Sequence, residues 1–545
     1  MIILPLQNNK KNVVTLFTYY LKMTNTDKKI CILLADTLYK KGVRKVVVSP
    51  GSRNTPLIVA FSRHPELEVY SVVDERSAAF IGLGMARAMA APVAICCTSG
   101  TASLNYSPAV AEAFYSSVPL IVITADRPAE LVERRAPQTI RQPGIYSGFI
   151  KGCVDIASEY DTDDLLCDTF ANLSDILDDN FRDAPGPVHI NVQLSAPLGH
   201  LTECDDYDLS DPEIVLPSIT TIELSNYTGR TFIFVGIGAN ISNNLLEEAA
   251  WLPGVVVFAE NYTMVQKTSD SIIENVDATI TASHHHGNLP QPDRIIKVGN
   301  SLVSKKYYEL YDDDAIYVND DASFASLLPY RYEGTDDFKS VWLSLSRDAL
   351  SFSYELMRSG EWSQFVAVGE ILQCCVGRNV QASNGMTIRY TQLFDTRALY
   401  SVGCNRGVSG IDGSVSTAVG YAVASERQTV LITGDMSFQY DIGALFTPFI
   451  PDNFTIIVLN NRGGGIFRYI ETTSDLPERE KFIAGPLNVP VEGLAKTFGF
   501  RYMKVSSVQS LRQALSEIGK CRLIIDVTTD SEIDNKVLNT YYKSL

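Results

Sequence analysis

Positive charge is in short supply in this sequence. Its 545 residues hold 46 lysines and arginines against 63 aspartates and glutamates, a formal charge of −17. Nucleic acids and anionic membranes require net or local basic surface, so both are excluded as partners. A long apolar run near the start is missing too: Val13 to Tyr20 is too short to span a bilayer and lacks a small-residue cleavage site. Ten cysteines are scattered, with adjacent pairs Cys96-Cys97 and Cys374-Cys375 but no Cys-x-x-Cys spacing. They read as reduced, mostly buried thiols, which places the chain in the cytoplasm. Histidine is rare, six in all, and three of these are His284-His285-His286. Three consecutive residues cannot all face one ion on a regular element, so this run reads as a solvated loop. No short-period repeat or low-complexity tract is present.

What the chain does have is 46% hydrophobic residues over a length that suggests three domains of about 150 residues each. Residues 26–202 alternate strands (Lys45 to Ser49, Val69 to Val73, Val93 to Cys97, Leu120 to Thr124, Val188 to Val192) with helical stretches. That alternation predicts an α/β fold with a doubly wound parallel sheet. A polar, acidic linker from Glu203 to Pro217 precedes a second α/β unit, residues 203–355, whose first strand leads into Val235-Gly236-Ile237-Gly238-Ala239-Asn240. The third unit, 356–545, opens with a helix over Phe365 to Leu372 and is a candidate to share the architecture of the first. Residues 1–25 read as an extension; Met23, before the polar helix start Thr24-Asn25-Thr26-Asp27, is the expected biological start.

The third unit carries the most informative feature, a split signature. Gly434-Asp435-Met436-Ser437-Phe438 follows the apolar run Thr429 to Thr433, and Leu459-Asn460-Asn461-Arg462-Gly463 ends the run that starts at Thr455. Both runs read as buried parallel strands, so Asp435 and Asn461 sit at neighbouring strand ends. The interval leaves room for one crossover helix, around Tyr440 to Phe449. Mg²⁺ takes hard oxygen ligands, which Asp435, Asn461 and the Gly463 carbonyl supply, and a bound Mg²⁺ would hold a diphosphate. This resembles the Gly-Asp-X…Asn-Asn motif of thiamine-diphosphate enzymes. Thiamine chemistry also needs an acid hydrogen-bonded to the aminopyrimidine, and Glu75 is the candidate. It stands between an apolar strand and the small-residue helix Ser77 to Ala86, where apolar surroundings would keep it protonated. The competing reading is that Glu75 caps that helix, a role Asp74 fits equally well.

Further strings make the resemblance specific: Ser49-Pro50-Gly51-Ser52-Arg53-Asn54-Thr55-Pro56-Leu57, Asp74-Glu75-Arg76-Ser77, Thr98-Ser99-Gly100-Thr101-Ala102, Thr124-Ala125-Asp126-Arg127-Pro128, Gln138-Thr139-Ile140-Arg141-Gln142, Asn405-Arg406-Gly407-Val408-Ser409-Gly410-Ile411-Asp412-Gly413 and Asn460 to Phe467. From about Thr26 onward the chain resembles the thiamine-dependent synthases of menaquinone biosynthesis that make 2-succinyl-5-enolpyruvyl-6-hydroxy-3-cyclohexene-1-carboxylate. The resemblance implies pyrimidine-binding, central and diphosphate-binding domains, with thiamine diphosphate and Mg²⁺ (or Mn²⁺) as cofactors. It implies a transferase that decarboxylates 2-oxoglutarate and adds the succinyl carbanion to isochorismate in a 1,4-addition.

By the same resemblance, Glu75, Ser409, Gly410, Ile411, Asp435, Met436, Ser437, Asn461, Gly463 and Ile466 hold the cofactor, with Ile411 as the wedge beneath it. Ser52, Arg53, Arg127, Gln138 and Lys305 hold isochorismate, Arg389 and Arg406 the distal succinyl carboxylate, and Ile466 and Phe467 wall the pocket. It further implies a homodimer or homotetramer with sites shared between chains. Gly385, Lys306 and Pro137 depart from the family pattern. The alternatives are another thiamine-diphosphate-dependent 2-oxo acid decarboxylase or carboligase, and a dinucleotide-dependent oxidoreductase. The last rests on Gly236-Ile237-Gly238, but Ile241 stands where the full fingerprint needs glycine.

Overall fold

Short β-branched runs between glycine-containing turns become parallel strands, and helices flank the three sheets they form. The computed structural model describes residues 23–182, 185–204, 227–263, 269–287, 289–329, 331–334, 337–485 and 488–545. The N-terminal sheet runs, in spatial order, Glu68–Ser71, Lys45–Val48, Val93–Cys97, Leu120–Asp126, Val188–Gln193 and Gly152–Ile156. The C-terminal sheet runs Ser401–Gly403, Asn379–Ala382, Thr429–Gly434, Thr455–Asn460, Leu523–Thr528 and Arg501–Val505. Numbered along the chain, both follow the order second, first, third, fourth, sixth, fifth, so the first and third units share one architecture. Between them a five-stranded parallel sheet runs Ile272–Ile273, Val255–Ala259, Thr231–Val235, Arg294–Val298 and Ala315–Val318.

The inner strands are apolar on both faces because helices cover both: Val430, Leu431, Ile432, Ile456, Ile457 and Val458 are all fully buried. Each such side chain contributes about 1.5–3 kcal/mol relative to exposure. In the two outer sheets the direction of winding reverses between the first and third strands. Open α/β sheets receive ligands in the crevice at the carboxyl ends of such strands. These crevices lie beside Ser49 to Arg53 and Thr98 to Gly100 in one sheet, and beside Ser383 to Gly385 and Gly434-Asp435 in the other.

The two outer units meet along the helices Glu75–Met89 and Ser414–Ala424. A β-carbon on Gly84 would be driven into the Thr417 carbonyl, and one on Gly420 into the Ile81 carbonyl. Backbone approaches backbone here, which only glycine permits.

Several expectations are corrected. Residues 24–26 do not start a helix: Met23–Thr26 is a strand antiparallel to Leu201–Cys204, and the helix begins at Lys29. The partner strand is distant in sequence, so no local pattern announces the pairing. The crossover between Thr429–Gly434 and Thr455–Asn460 begins at Asp435 itself and is broken into the helix Asp435–Tyr440 and a 3₁₀ turn, Ile442–Phe446. His284 and His285 end the helix Val276–His285 and His286 caps it, all three exposed, so the run is a helix end rather than a loop. Among the described residues no group of three His, Cys, Asp or Glu side chains could hold a metal. Among the described cysteines, Cys31, Cys96, Cys97, Cys375 and Cys404 are buried, Cys521 is half-buried, and Cys153, Cys167 and Cys374 are exposed, in line with mostly buried thiols. Most of the expected linker, and residues 1–22 with the question of Met23 as start, lie outside the described residues.

Candidate active site

Parallel pairing sets Gly434 opposite Leu459, so the two halves of the split signature leave the sheet side by side. Asp435 is 1% exposed; its Oδ1 accepts from the Met436 N–H (2.7 Å) and its Oδ2 from the Gly463 N–H (2.9 Å). Burial pushes its carboxyl up to about 6, against the pull of these backbone donors. Gly463 has φ +132°, and a side chain there would strike the Ala484 and Gly485 carbonyls. Asn461 Nδ2 donates to Asp534 Oδ2 (3.2 Å), which leaves the amide oxygen as the atom available to a cation. Asp534, on the C-terminal helix Ser531–Ser544, also accepts from the Gln364 N–H (2.7 Å) and the Thr529 hydroxyl (2.9 Å).

A loop from the neighbouring strand completes this cluster. Ser437 Oγ donates to the Ile411 carbonyl (2.7 Å), and Asn384 Nδ2 donates to the carbonyls of Gly410 (2.7 Å) and Asn405 (2.5 Å). Ser409 is held at φ +61°, a conformation costly for a residue with a side chain. Ile411, Met436, Ile466 and Phe467 are all half-buried beside these oxygen donors.

The residues fit Mg²⁺ and thiamine diphosphate. A buried carboxylate whose ionisation is disfavoured gains most from a dication, and the amide oxygen and the Gly463 carbonyl are the hard donors Mg²⁺ prefers. The partly open apolar side chains suit rings attached to the charged tail.

Two guanidinium pairs stand apart from the metal-type cluster. Arg389 Nη1 donates to the Gly385 carbonyl (2.7 Å), and burial with the nearby Arg406 charge lowers its pKa. Arg406 donates to Asn384 Oδ1 (3.1 Å) and the Leu302 carbonyl (3.0 Å), while its Nε is buried without a partner. In the N-terminal unit, Arg53 donates to the Leu194 carbonyl (2.6 Å), and burial and then Arg127 lower its pKa. The Nε atoms of Arg53 and Arg127 are likewise buried and unpartnered. Ser52 and Gln138 are exposed nearby in sequence or space, with Gln138 tied to Ser99 through two hydrogen bonds and held at φ +60°.

Lys305 and Arg389 line one cavity of about 660 Å³ whose wall includes Asp277, Tyr469 and Tyr542. Two carboxylates, Glu260 buried and Asp277 half-buried, set Lys305 there: Glu260 accepts from the N–H groups of Val303 (2.6 Å) and Ser304 (2.7 Å), and Asp277 from those of Lys305 (3.4 Å) and Lys306 (3.1 Å). Of the departures, Lys306 pairs with Glu309 (2.8 Å), Pro137 is exposed, and Gly385, at φ +90°, has open space where a side chain would be.

Asp74 caps the helix Glu75–Met89, accepting from the N–H groups of Arg76 (3.0 Å) and Ser77 (3.4 Å). Glu75 is half-buried and its carboxylate has no hydrogen bond or ion pair among the described residues. Within one chain no hydrogen bond or ion pair joins Glu75 to the Asp435 cluster, or Arg53 and Arg127 to Arg389 and Arg406. Sequence reasoning missed Asp534, Glu260, Asp277 and Tyr542. Each acts through contacts remote in sequence, and only the placement of Asp534 in a first helical turn was visible locally.

The mouth of the central unit's glycine turn is filled by protein. A β-carbon on Gly238 would meet Ser117 and Asn300, one on Gly299 would strike the 236–239 backbone, and Asn319 Nδ2 donates to the Gly238 carbonyl (3.1 Å). Asn300 Nδ2 donates to the Tyr115 carbonyl (2.5 Å), so the mouth of the turn is a joint with the N-terminal unit.

Residues 29–145 match the N-terminal TPP binding domain of thiamine pyrophosphate enzymes, and residues 383–527 match their C-terminal TPP binding domain. A 2-succinyl-5-enolpyruvyl-6-hydroxy-3-cyclohexene-1-carboxylate synthase of Porphyromonas gingivalis is 34% identical, over 95% of this chain and 97% of its own. The synthase of the same name from Flavobacterium psychrophilum is 34% identical over 93% and 96%, and that of Bacteroides fragilis 31% over 95% and 99%. Both halves of the split signature fall within the C-terminal match, and Glu75 falls within the N-terminal one. The chain therefore belongs to the family of 2-succinyl-5-enolpyruvyl-6-hydroxy-3-cyclohexene-1-carboxylate synthases, within the thiamine pyrophosphate enzymes.

Proposed function

We propose that this chain decarboxylates 2-oxoglutarate and joins the remaining succinyl unit to isochorismate by 1,4-addition, giving 2-succinyl-5-enolpyruvyl-6-hydroxy-3-cyclohexene-1-carboxylate. The observation that carries the substrate class is the pair of guanidinium couples, Arg53 with Arg127 and Arg389 with Arg406, each of one buried and one half-buried arginine, in a protein of charge −17. Like charges are drawn together away from solvent, and the Nε atoms of Arg53, Arg127 and Arg406 have no partner among the described residues, where carboxylates would offset the cost; bidentate forks then fix orientation. Two dicarboxylates need two such sites.

When bound, thiamine diphosphate supplies a carbon nucleophile for the 2-oxo group and an electron sink for the loss of carbon dioxide. Asp435, Asn461 and the Gly463 carbonyl hold Mg²⁺, while Ser409, Gly410, Met436 and Ser437 line the diphosphate. Ile411 and Ile466 pack against the rings and exclude water, and Glu75 holds a proton at the aminopyrimidine. Arg389 and Arg406 grip the distal carboxylate of 2-oxoglutarate; Ser52, Arg53, Arg127, Gln138 and Lys305 grip isochorismate, with Phe467 as a wall. The three units correspond to residues 26–202, 203–355 and 356–545.

The acid and the metal ligands serve one site across two chains. Glu75 has no hydrogen-bond or ion-pair partner among the described residues, and the apolar side chains near its helix start, Val73, Tyr440 and Phe446, are 78%, 52% and 74% exposed, surface that a second copy would cover. A homodimer is the minimal assembly and the cytosol its setting, consistent with the free thiols; no helix among the described residues is long and apolar enough to cross a membrane.

Purified protein with Mg²⁺ and both substrates should release carbon dioxide and consume 2-oxoglutarate and isochorismate one for one, only when thiamine diphosphate is present. Loss of 2-oxoglutarate with isochorismate untouched would replace this reading with a simple decarboxylase or a carboligase using another acceptor.

A further inference from the structure

The loop from Cys404 to Gly410 has no regular secondary structure, yet it carries Arg406 and leads into Ile411. Its shape is imposed from outside by two side chains of the N-terminal unit. Arg87, near the end of the helix that Glu75 begins, donates through Nη1 to the Cys404 carbonyl (3.3 Å) and Asn405 Oδ1 (2.6 Å). Its Nη2 donates to Glu112 Oε1 (2.8 Å) and Ser116 Oγ (2.9 Å). Glu112 in turn accepts from the N–H of Gly407 at Oε1 (2.9 Å) and from that of Val408 at Oε2 (2.8 Å). The pair is buried, its side chains 7% and 1% exposed, and a β-carbon on Gly407 would crowd the Glu112 carbonyl.

A salt bridge that merely tied two helices of the N-terminal unit together would be complete with the Arg87–Glu112 contact. Here four hydrogen bonds continue from the pair into the loop and fix the residues on both sides of Arg406. The Arg406 carbonyl is also held from the central unit by Ser301 Oγ (2.5 Å). With its backbone fixed, the guanidinium keeps its place beside Asn384 and Arg389.

We propose that Arg87 and Glu112 are positioning residues: a buried clamp through which the N-terminal unit sets Arg406 for the distal carboxylate of 2-oxoglutarate and the 409–411 segment for the cofactor. The proposal rests on the roles given above to Arg406 and Ile411. It separates the two substrates, because Arg53 and Arg127 lie outside the clamped loop.

Glu112→Gln removes the charge and one of the two acceptor oxygens, and Arg87→Lys keeps the charge but loses the fork. In both, KM for 2-oxoglutarate should rise about tenfold or more, as expected for a lost hydrogen bond to a charged group, with KM for isochorismate unchanged within about twofold. Thiamine diphosphate binding, titrated without substrates, should weaken. Amide hydrogen exchange should quicken across 404–410 while the helices Glu75–Met89 and Ser414–Ala424 stay protected. An equal change in both KM values, a fall in Tm with unchanged cofactor affinity, or exchange loosened across the whole helix interface would overturn the clamp. If the wild-type protein left isochorismate untouched, the assigned reaction would fail, while cofactor titration and exchange in the two variants would still decide the clamp.

Discussion

At the scale of single residues, adjacent side chains of similar chemistry carry different duties. Asp74 accepts the first-turn N–H groups of its helix, a cap that contributes about 1 kcal/mol, and its neighbour Glu75 is thereby released for other work. The sequence left these two acids interchangeable; the side-chain hydrogen bonds separate them. Asp534 is a contrasting case. Its sequence context shows only an acid in a helix's first turn, whereas its contact with Asn461 spans 73 positions and depends on how the last helix docks. Second carboxylates of this kind orient a metal's ligand without touching the metal. Asp534→Asn should keep the fold, as read by circular dichroism, while raising the Mg²⁺ concentration needed to retain thiamine diphosphate by about tenfold to a hundredfold. An unchanged Mg²⁺ requirement would remove Asp534 from the site.

Secondary elements were the most legible scale where their cause is local. The runs Thr429 to Thr433 and Thr455 to Leu459 are strands because β-branched residues fill both faces, and their parallel pairing puts Asp435 and Asn461 together. The small-residue helix Ser77 to Ala86 was visible in the sequence, whereas its close contact with Ser414–Ala424, through Gly84 and Gly420, depends on how the two units dock. Illegible were features decided by distant partners: the strand Met23–Thr26, and the crossover broken where Gly443 packs against Asp74.

At that break Asp441 is fully buried and accepts from the Ser416 N–H (2.6 Å) and Oγ (2.8 Å), with burial raising its pKa to about 7. An unfolded aspartate titrates near about 4, so the native state holds a proton that the unfolded chain releases. This group's contribution to stability is therefore present at low pH and is lost as pH rises through about 7. Asp441→Asn keeps a donor and an acceptor and does not titrate. Its Tm relative to wild type should improve by a few degrees between about pH 5 and about pH 8. Parallel Tm curves for the two proteins would contradict the buried, proton-holding role.

For the molecule as a whole, one architecture appears twice, and a central unit joins the copies. Its glycine turn receives the Tyr115 to Ser117 segment, and its Ser301 and Leu302 grip Arg406. The net charge of −17 and the arginine couples fit together: an acidic protein that binds dicarboxylates needs locally concentrated positive charge, which Arg53 with Arg127 and Arg389 with Arg406 supply. Motif order made this organisation readable. The sequence could not show that Glu75 and Asp435 of one chain remain unlinked, because that depends on how the outer units are docked.

Glu75 and Asp435 are proposed to complete a single thiamine-diphosphate site only when two chains combine. Glu75→Gln and Asp435→Ala chains, each inactive alone, should be mixed, allowed to exchange, and assayed for cofactor-dependent consumption of isochorismate with 2-oxoglutarate. Recovery of about a quarter of wild-type activity is predicted, since half of randomly formed dimers hold one chain of each kind and each of those has one intact site of two. No recovery, with exchange proven by labelled chains, would contradict it.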